Sequence, residues 1–450
     1  MPDPTIPTEK KERVRYIAAH VVFYGALVLA PIIFLVALWI LIESIGGTGG
    51  IFMQIFIGVV LILAPLLLVP AAIKTRLAYK RALFFAAQGY SLLEIKVPKE
   101  ITKSPLAMEV LLEAFHKTSH ETTFIDRWIR GKTRPWFSLE LVSLGGEVHF
   151  FIWTRKTWRR YIESAVYAQY PEVEIYEVED YTSYVPFDLS NYVIWGCEFR
   201  LSKPDPFPIK TYIEYGMDKE MKEEFKVDPM SASMEFLGSL KPGENIWIQI
   251  LIRAHGKDKR KPGTFFTYKD WKDDGKKIIE KIIKDSAPSI SIPNQGDAQG
   301  APPLNLTMWQ NDMIKSIERN LSKRAFDCGI RTLYLAKNDV FDAITISALI
   351  NVFKQFSSEH MNGLSPTRGH AGLDYPWQDY RDIRRNKIAW RLYDAYKRRS
   401  YFYAPYRSPS FVMSNEELAT IYHVPGEAVG TPTLPRITSR KRNAPANLPR

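Results

Sequence analysis

Chemistry in this chain would have to come from histidine pairs, glycine-lysine turns or a nucleophile with its base, and the sequence holds an incomplete version of each. His116 and His120 are four apart with Glu121 adjacent; on a helix that spacing puts two imidazoles on one face, where a third ligand would complete a zinc site. No third ligand is marked, so the pair reads as a solvated helix end, as do His360 and His370 in their loop. Gly131-Lys132-Thr133 matches the end of the phosphate-loop pattern G-x-x-x-x-G-K-[ST], but its first glycine falls at Asp126, a carboxylate where backbone amides should cradle phosphate. Gly256-Lys257 runs on to Asp258 and Gly275-Lys276 to Lys277, so neither supplies the hydroxyl that holds magnesium. There is no G-x-S-x-G, and no serine or cysteine announces a base. These patterns imply no catalytic residue, no cofactor and no metal, and a protein that is not an enzyme.

Two stretches suit binding. Asp382–Lys397 reads as a strongly basic helix with Ile388, Ala389, Leu392 and Ala395 inward, and Arg381, Arg384, Arg385, Arg398 and Arg399 form a candidate basic surface for nucleic acid or anionic lipid. Ser414-Asn415-Glu416-Glu417 reads as a capping box, the Ser hydroxyl accepting from the Glu417 amide while the Glu side chain reaches back, so a short helix Glu416–Tyr422 begins there. Ser414, Glu416, Glu417, Leu418, Ile421, Tyr422, His423 and Pro425 are the candidate docking residues for a partner. Aromatic and basic residues also alternate over Trp153–Arg160; the mixture suits stacked single-stranded nucleic acid, but the first turn of a helix packed under a sheet accounts for it better.

The elements that must position these residues follow from periodicity. Ser91–Val97 is a strand, Leu106–Lys117 an amphipathic helix opened by Ser104-Pro105, and Trp136–Leu144 with Glu147–Thr154 a hairpin turned by Gly145-Gly146. Helix Trp158–Tyr170 and strand Val173–Val178 complete the order β-α-β-β-α-β, the ferredoxin-like order. A second round has strand Tyr192–Leu201, helix Met230–Leu240, strand Asn245–Ala254, strand Ile330–Ala336 and helix Val340–Phe356. It is interrupted by a charged helix Lys269–Lys284, a Ser/Pro/Asn/Gln/Gly stretch Pro288–Pro303 and helix Thr307–Arg324. Gly363–Pro376 reads as a loop, and from Val424 the chain becomes a proline-spaced tail with Arg436, Arg440, Lys441 and Arg442.

Upstream lie two uncharged apolar runs, Ile17–Ile42 and Ile51–Ile73, joined by the Gly-rich link Glu43–Gly50. About 20 such residues cross a bilayer, so the pair predicts a transmembrane helical hairpin. Lys10, Lys11, Arg13 and Arg15 precede it and Lys74, Arg76, Lys80 and Arg81 follow it, while the link has no Lys or Arg. By the positive-inside rule both termini and the following domains face the cytoplasm, as a multi-pass protein of the inner membrane. The hairpin holds no buried charge, so it reads as an anchor rather than a transport path.

The expected fold class is therefore α+β: a membrane hairpin and connecting helix over residues 1–88, ferredoxin-like domains over 89–182 and 183–376, the second with insertion 257–325, a helical segment 377–426 and a tail 427–450. A net charge of +11 is modest, and membrane lipid accounts for part of it. Two cysteines, Cys197 and Cys328, lie far apart without metal-ligand spacing and read as buried thiols in a reducing compartment.

Two segments carry a family resemblance. Tyr161–Tyr181, with Glu163-Ser164-Ala165-Val166-Tyr167-Ala168-Gln169-Tyr170-Pro171, and Phe411–Gly426, around Ser414-Asn415-Glu416-Glu417-Leu418, resemble the N-terminal, non-ATPase region of conjugation-type ATPases of type IV secretion systems in bacteria and archaea with small genomes. In those relatives a segment like Ala444–Pro449 precedes a P-loop ATPase domain, whereas this chain stops at Arg450. The resemblance implies a membrane-anchored non-catalytic subunit that docks a separate P-loop ATPase, with a homo-oligomer, a hexamer matching the motor, as its assembly. The alternative reading is a membrane-tethered DNA- or lipid-binding module acting without an ATPase.

Overall fold

The computed structural model describes residues 49–98, 103–119, 123–218, 228–256, 270–286, 306–367 and 377–426, the side chains of 49–58 and 60–67 excepted. The expected membrane helix Ile17–Ile42, the stretch Pro288–Pro303 and the basic tail lie outside these residues. The chain divides into two compact units, Met1–Gly89 with Ser119–Arg134 and Tyr90–Thr118 with Pro135–Arg450.

In the first unit α1 is one unbroken helix, Gly49–Ala87, so the connecting helix expected before residue 88 is the continuation of the apolar run. Ile51–Ile73 has no charged residue, and at 1.5 Å per residue it is about 35 Å long. Among the residues whose side chains are described, no helix is long and apolar enough to cross a membrane; most of Ile51–Ile73 falls outside them. A second element among this unit's described residues is a wide helical turn, Ile125–Ile129, closed by Arg130 N donating to the Ile125 carbonyl at 2.9 Å. It ends at Gly131, φ +68, where a Cβ would stand 2.9 Å from backbone atoms of Lys80 and Arg81. Only glycine permits that approach.

The second unit is an α+β structure on a nine-stranded antiparallel sheet. Its first half runs β1 (Tyr90–Lys96), α2 (Pro105–Phe115), β2 (Trp136–Leu144), β3 (Glu147–Arg155), α3 (Arg159–Gln169) and β4 (Glu174–Val178). The second half repeats that order as β5 (Tyr192–Leu201), α4 (Ser231–Gly238), β6 (Glu244–Ala254), β7 (Ala325–Lys337), α7 (Ala343–Asn351) and β8 (Leu364–Thr367), with α5 (Trp271–Ser286) and α6 (Met308–Ser322) inserted between β6 and β7. Then come α8 (Ile383–Lys397), β9 (Phe411–Ser414) and α9 (Asn415–Ile421). Local chemistry sets several boundaries. Ser104 Oγ accepts from the Leu106 amide ahead of Pro105, and Gly145 and Gly146, φ +61 and +98, make the two-residue turn that a twisted hairpin needs.

The strand order is β4-β1-β3-β2-β6-β7-β5-β8, with β9 added to β7. Each half is thus arranged fourth, first, third, second, and the two meet where β2 pairs β6 from Trp136↔Arg253 to Leu144↔Asn245. In separate halves β2 and β6 would each present an unpaired row of backbone groups; joining them satisfies both. The stretches 89–182 and 183–376 therefore share one sheet. Two strands had no clear sequence signal: β8 lies in the expected loop Gly363–Pro376, and β9 precedes the capping box.

One face of the sheet carries the apolar core. Leu139, Ile152, Ile250, Ile330 and Phe199 stand in register across it and pack with Leu112 and Phe115 of α2, Ile162 of α3, Met234 of α4, Leu349 of α7 and Leu418 of α9. Val412 joins a smaller cluster with Trp271 and Ala325. α8 and the chain after it supply the residues that meet the opposite face.

Candidate functional site

The capping box forms as its sequence requires, with Ser414 Oγ accepting from the Glu417 amide at 3.3 Å and the Glu417 carboxylate taking the Ser414 amide at 2.8 Å. Its residues are not a docking surface, however. Ser414, Glu416, Glu417, Leu418, Ile421, Tyr422, His423 and Pro425 are all buried within this chain. Glu417 also accepts the Ile209 amide at 3.0 Å, and Glu416 takes the Thr211 hydroxyl at 2.8 Å and the Arg319 guanidinium at 3.2 Å. Lys323 Nζ lies 2.6 Å from Glu109 and 3.6 Å from Glu416. Tyr422 donates to the Phe151 carbonyl at 3.1 Å, while β9 pairs with β7, so β9–α9 pins the first half of the sheet to the second. His423 Nδ1 donates to the Ala419 carbonyl at 2.8 Å, and its Nε2 is 3.1 Å from Asp228. Burial pushes the Glu417 carboxyl up to about 7, against the hydrogen bonds from Ser414 and Ile209. Burial also raises Glu214 to about 7, although Arg319 stands 3.6 Å away.

The basic surface splits in two. Arg399 is 1% exposed and belongs to a polar row on the second face of the sheet. Glu140, Gln249, Arg331 and Glu198 are direct cross-strand neighbours on β2, β6, β7 and β5. Arg331 donates to Glu198 at 2.7 Å and to Gln249 at 3.3 Å, and Gln249 donates to Glu140 at 3.2 Å. Glu140 is closed by Arg399 at 2.9 and 3.0 Å, by the Tyr181 hydroxyl at 2.7 Å and by Ser138 at 2.6 Å. Arg399 also pairs with Asp180; burial pushes that carboxyl up, but the guanidinium charge and hydrogen bonds outweigh it and hold it below the usual carboxylate range. Burying a carboxylate in a sheet requires a cation beside it, and Arg399 is that cation. The sequence signal for it was Glu140 itself, an acid inside the apolar strand Trp136–Leu144. Arg398 is only partly exposed and pairs with Asp394 at 2.7 Å.

Arg381, Arg384 and Arg385 are exposed at the amino-terminal half of α8. Arg381 and Asp382 both adopt left-handed backbone, φ +53 and +57, and the Asp379 carboxylate accepts the Arg384 and Arg385 amides at 2.8 and 2.6 Å. The helix amino terminus is thereby already capped by the chain's own acid. Arg385 approaches Asp382 at 3.8 Å, whereas among the described residues Arg381, Arg384, Lys387 and Arg391 have no carboxylate in ion-pair reach. Ile383, Arg384, Lys387, Trp390 and Arg391 fall on one helical stripe by the 3.6-residue repeat, and Trp377, Tyr380, Ile383 and Trp390 are exposed beside those cations. Beneath the helix end lies a cleft of about 400 Å³ walled by Tyr192, Trp195, Phe341 and Ile346 and rimmed by Arg381 and Arg385 with Asp382 between them. Apolar walls with a rim of two arginines and one aspartate can hold a polar molecule that carries an apolar body.

The other chemical candidates resolve locally. Gly131 closes against α1, and Lys132 binds Asp126 at 3.2 Å instead of facing a phosphate. His116 packs edge-on against Phe326, and burial lowers its pKa; His120 and His370 lie outside the described residues. His360 stacks on Trp309. Among the described residues no three His, Cys, Asp or Glu side chains are placed to share a metal. Cys197 and Cys328 are buried free thiols, Cys197 pushed up to about 12 by burial.

A family described as a domain of unknown function (DUF8128) matches residues 74–436, and the chain belongs to that family. The matched span starts at Lys74, the first charged residue after Ile51–Ile73. No curated protein matches the chain.

Proposed function

We propose, from the resemblance carried by Tyr161–Tyr181 and Phe411–Gly426 and from the continuity of α1, that this chain is a membrane-anchored, non-catalytic body of a type IV secretion or conjugation-like machine, which positions a separate P-loop ATPase at the cytoplasmic face. The observation that carries the reading is α1: one helix joins the uncharged run Ile51–Ile73 to Lys74, Arg76, Lys80 and Arg81 without a break. That charge pattern favours a cytoplasmic position for the sheet-bearing unit downstream of α1. Both halves of the sheet read as ferredoxin-like units, from their β-α-β-β-α-β order and their fourth-first-third-second arrangement. The segments that resemble the secretion ATPases fall on α3–β4 and β9–α9, which build the fold, so the resemblance speaks for a shared architecture more than for a docking motif. The ATPase-binding face accordingly belongs on the exposed stripe of α8.

The test uses the tagged full chain expressed in its own host. The reading requires that carbonate washing leave it in the membrane and that detergent-solubilised chain bring down a P-loop ATPase. The double variant Arg384→Ala/Trp390→Ala should fail to bring that ATPase down. A carbonate-soluble chain, or a preparation without ATPase, sinks the reading. The cations Arg381, Arg384, Lys387 and Arg391, with no carboxylate in ion-pair reach among the described residues, favour a second reading, a tethered DNA- or lipid-binding module. That reading requires salt-sensitive retardation of DNA or capture by anionic vesicles that weakens when Arg381, Arg384, Lys387 and Arg391 are replaced by Ala.

A further inference from the structure

The turn Phe124–Ile129 exposes an apolar surface that no described residue of its own unit covers. Phe124, Ile125, Trp128 and Ile129 are 71, 52, 43 and 47% exposed within a single turn and a half of helix. Phe124 and Trp128 stack on each other with ring centroids 6.3 Å apart. Four large apolar side chains so placed form a patch, not scattered surface residues. Arg127, Arg130 and Lys132 accompany them, with Asp126 the one acid of the segment, held by Arg130 at 3.3 Å and Lys132 at 3.2 Å.

The location of this turn on α1 gives the patch its meaning. Gly131 locks the segment against the backbone of Lys80 and Arg81, and Lys80 lies only about 10 Å along the helix from Ile73, where the uncharged run ends. Tryptophan, phenylalanine and arginine gathered at the end of an apolar helix are the composition of a membrane-water boundary, where rings sit at headgroup level and cations meet lipid phosphate.

We propose that Thr123–Lys132 is an interfacial foot: Phe124, Ile125, Trp128 and Ile129 enter the headgroup region of an anionic phospholipid bilayer, and the segment's net positive charge, three cations against Asp126, faces its phosphates. The foot fixes α1 at one depth and one rotation, because a helix anchored at a single point is free to slide and turn. This inference rests on the membrane-anchor reading of α1.

The experiment places a polarity-sensitive fluorophore on Trp128→Cys, and separately on Phe124→Cys, in the full chain; the native Cys197 and Cys328 are buried. Each labelled chain is reconstituted with vesicles of neutral phosphatidylcholine or of phosphatidylcholine with phosphatidylglycerol, and brominated lipid reports depth. The expected result is flotation with both vesicle types, a blue-shifted label quenched by brominated lipid, and a bound fraction of the foot about fivefold favoured in anionic vesicles for each basic group engaged. Gly131→Val, which breaks the lock on α1, removes the quenching while flotation persists. A chain that floats but carries an unquenched, water-like label overturns the inference alone. A chain that floats with neither vesicle type overturns the anchor reading and the inference together. Protection of both cysteines that persists in lipid-free detergent assigns the patch to a second copy of the chain and overturns the lipid occupant.

Discussion

The amino-terminal half of α8 and the segment β9–α9 look alike as sequence: each is a short, charged helical stretch with aromatics, and each reads as a surface for a partner. In the folded chain they have opposite fates. Around α9 every acid meets a cation or an amide from another element, as with Glu416 and Arg319 or Glu417 and Ile209. Along α8 the cations Arg381, Arg384, Lys387 and Arg391 find no acid in ion-pair reach among the described residues. Charge on a helix is evidence of a free surface only when its counter-charge is missing from the rest of the fold, and that pairing is a long-range property no local window contains.

The sharpest way to break this contrast is to remove a counter-charge from the interior. Arg399→Ala leaves Glu140 buried without its cation and is expected to cost roughly 3–5 kcal/mol, measured by urea unfolding of the solubilised chain; a loss under about 1 kcal/mol would mean water reaches the polar row. Leu418→Ala in α9 comes next, at about 3 kcal/mol for a fully buried leucine. A surface-like loss of a few tenths there would return β9–α9 to the docking role.

Acid titration sharpens the same comparison. Glu417 is raised to about 7 from the usual 4.5. Below 4.5 it is protonated folded or unfolded, so its contribution is fully present there and declines as pH rises through 7, a drop on the order of 2–3 kcal/mol. Glu417→Gln removes that slope; an unchanged slope assigns it to Glu214. Asp180 and Asp228 are lowered, by Arg399 and by His423 against the opposing effect of burial. Their contribution is present above the usual 3.8 and declines as pH falls through their folded values, which gives the stability profile a second, acid limb. The smallest effect belongs to α8: Arg384→Ala should change stability by less than about 0.5 kcal/mol. A larger loss would show that the charge of Arg384, which helps hold the Asp379 carboxyl below its usual range, supports the cap of α8.

Much of the fold was legible where periodicity and turn chemistry act locally. Tyr192–Leu201 and Trp136–Leu144 match their strands residue for residue, and the hairpin glycines and both serine caps lie where their spacing puts them. The join between the halves was not legible, because Trp136–Leu144 has the same alternation whether it ends a sheet or continues into β6. β9 is four residues long and takes its form from β7 rather than from its own propensity. At the candidate surface, Arg384 and Arg385 could be placed from helical spacing, whereas Arg399 could be assigned only by asking which cation answers Glu140.

The continuous strand order has a consequence for how copies of this chain can polymerise. Among the described residues the strand order ends at β4 and β8, and β9 pairs on one side only, with β7. β4 carries Glu174 and Glu177, and β8 carries Pro366, which has no amide hydrogen to offer. Glu174 keeps a charge on the β4 edge beside Glu177, which Arg159 holds, and a proline breaks the ladder at β8, so both of these edges resist extension by another strand. Those two edges are therefore poor joints between copies, which leaves helix faces and loops as the surfaces through which one copy would meet another.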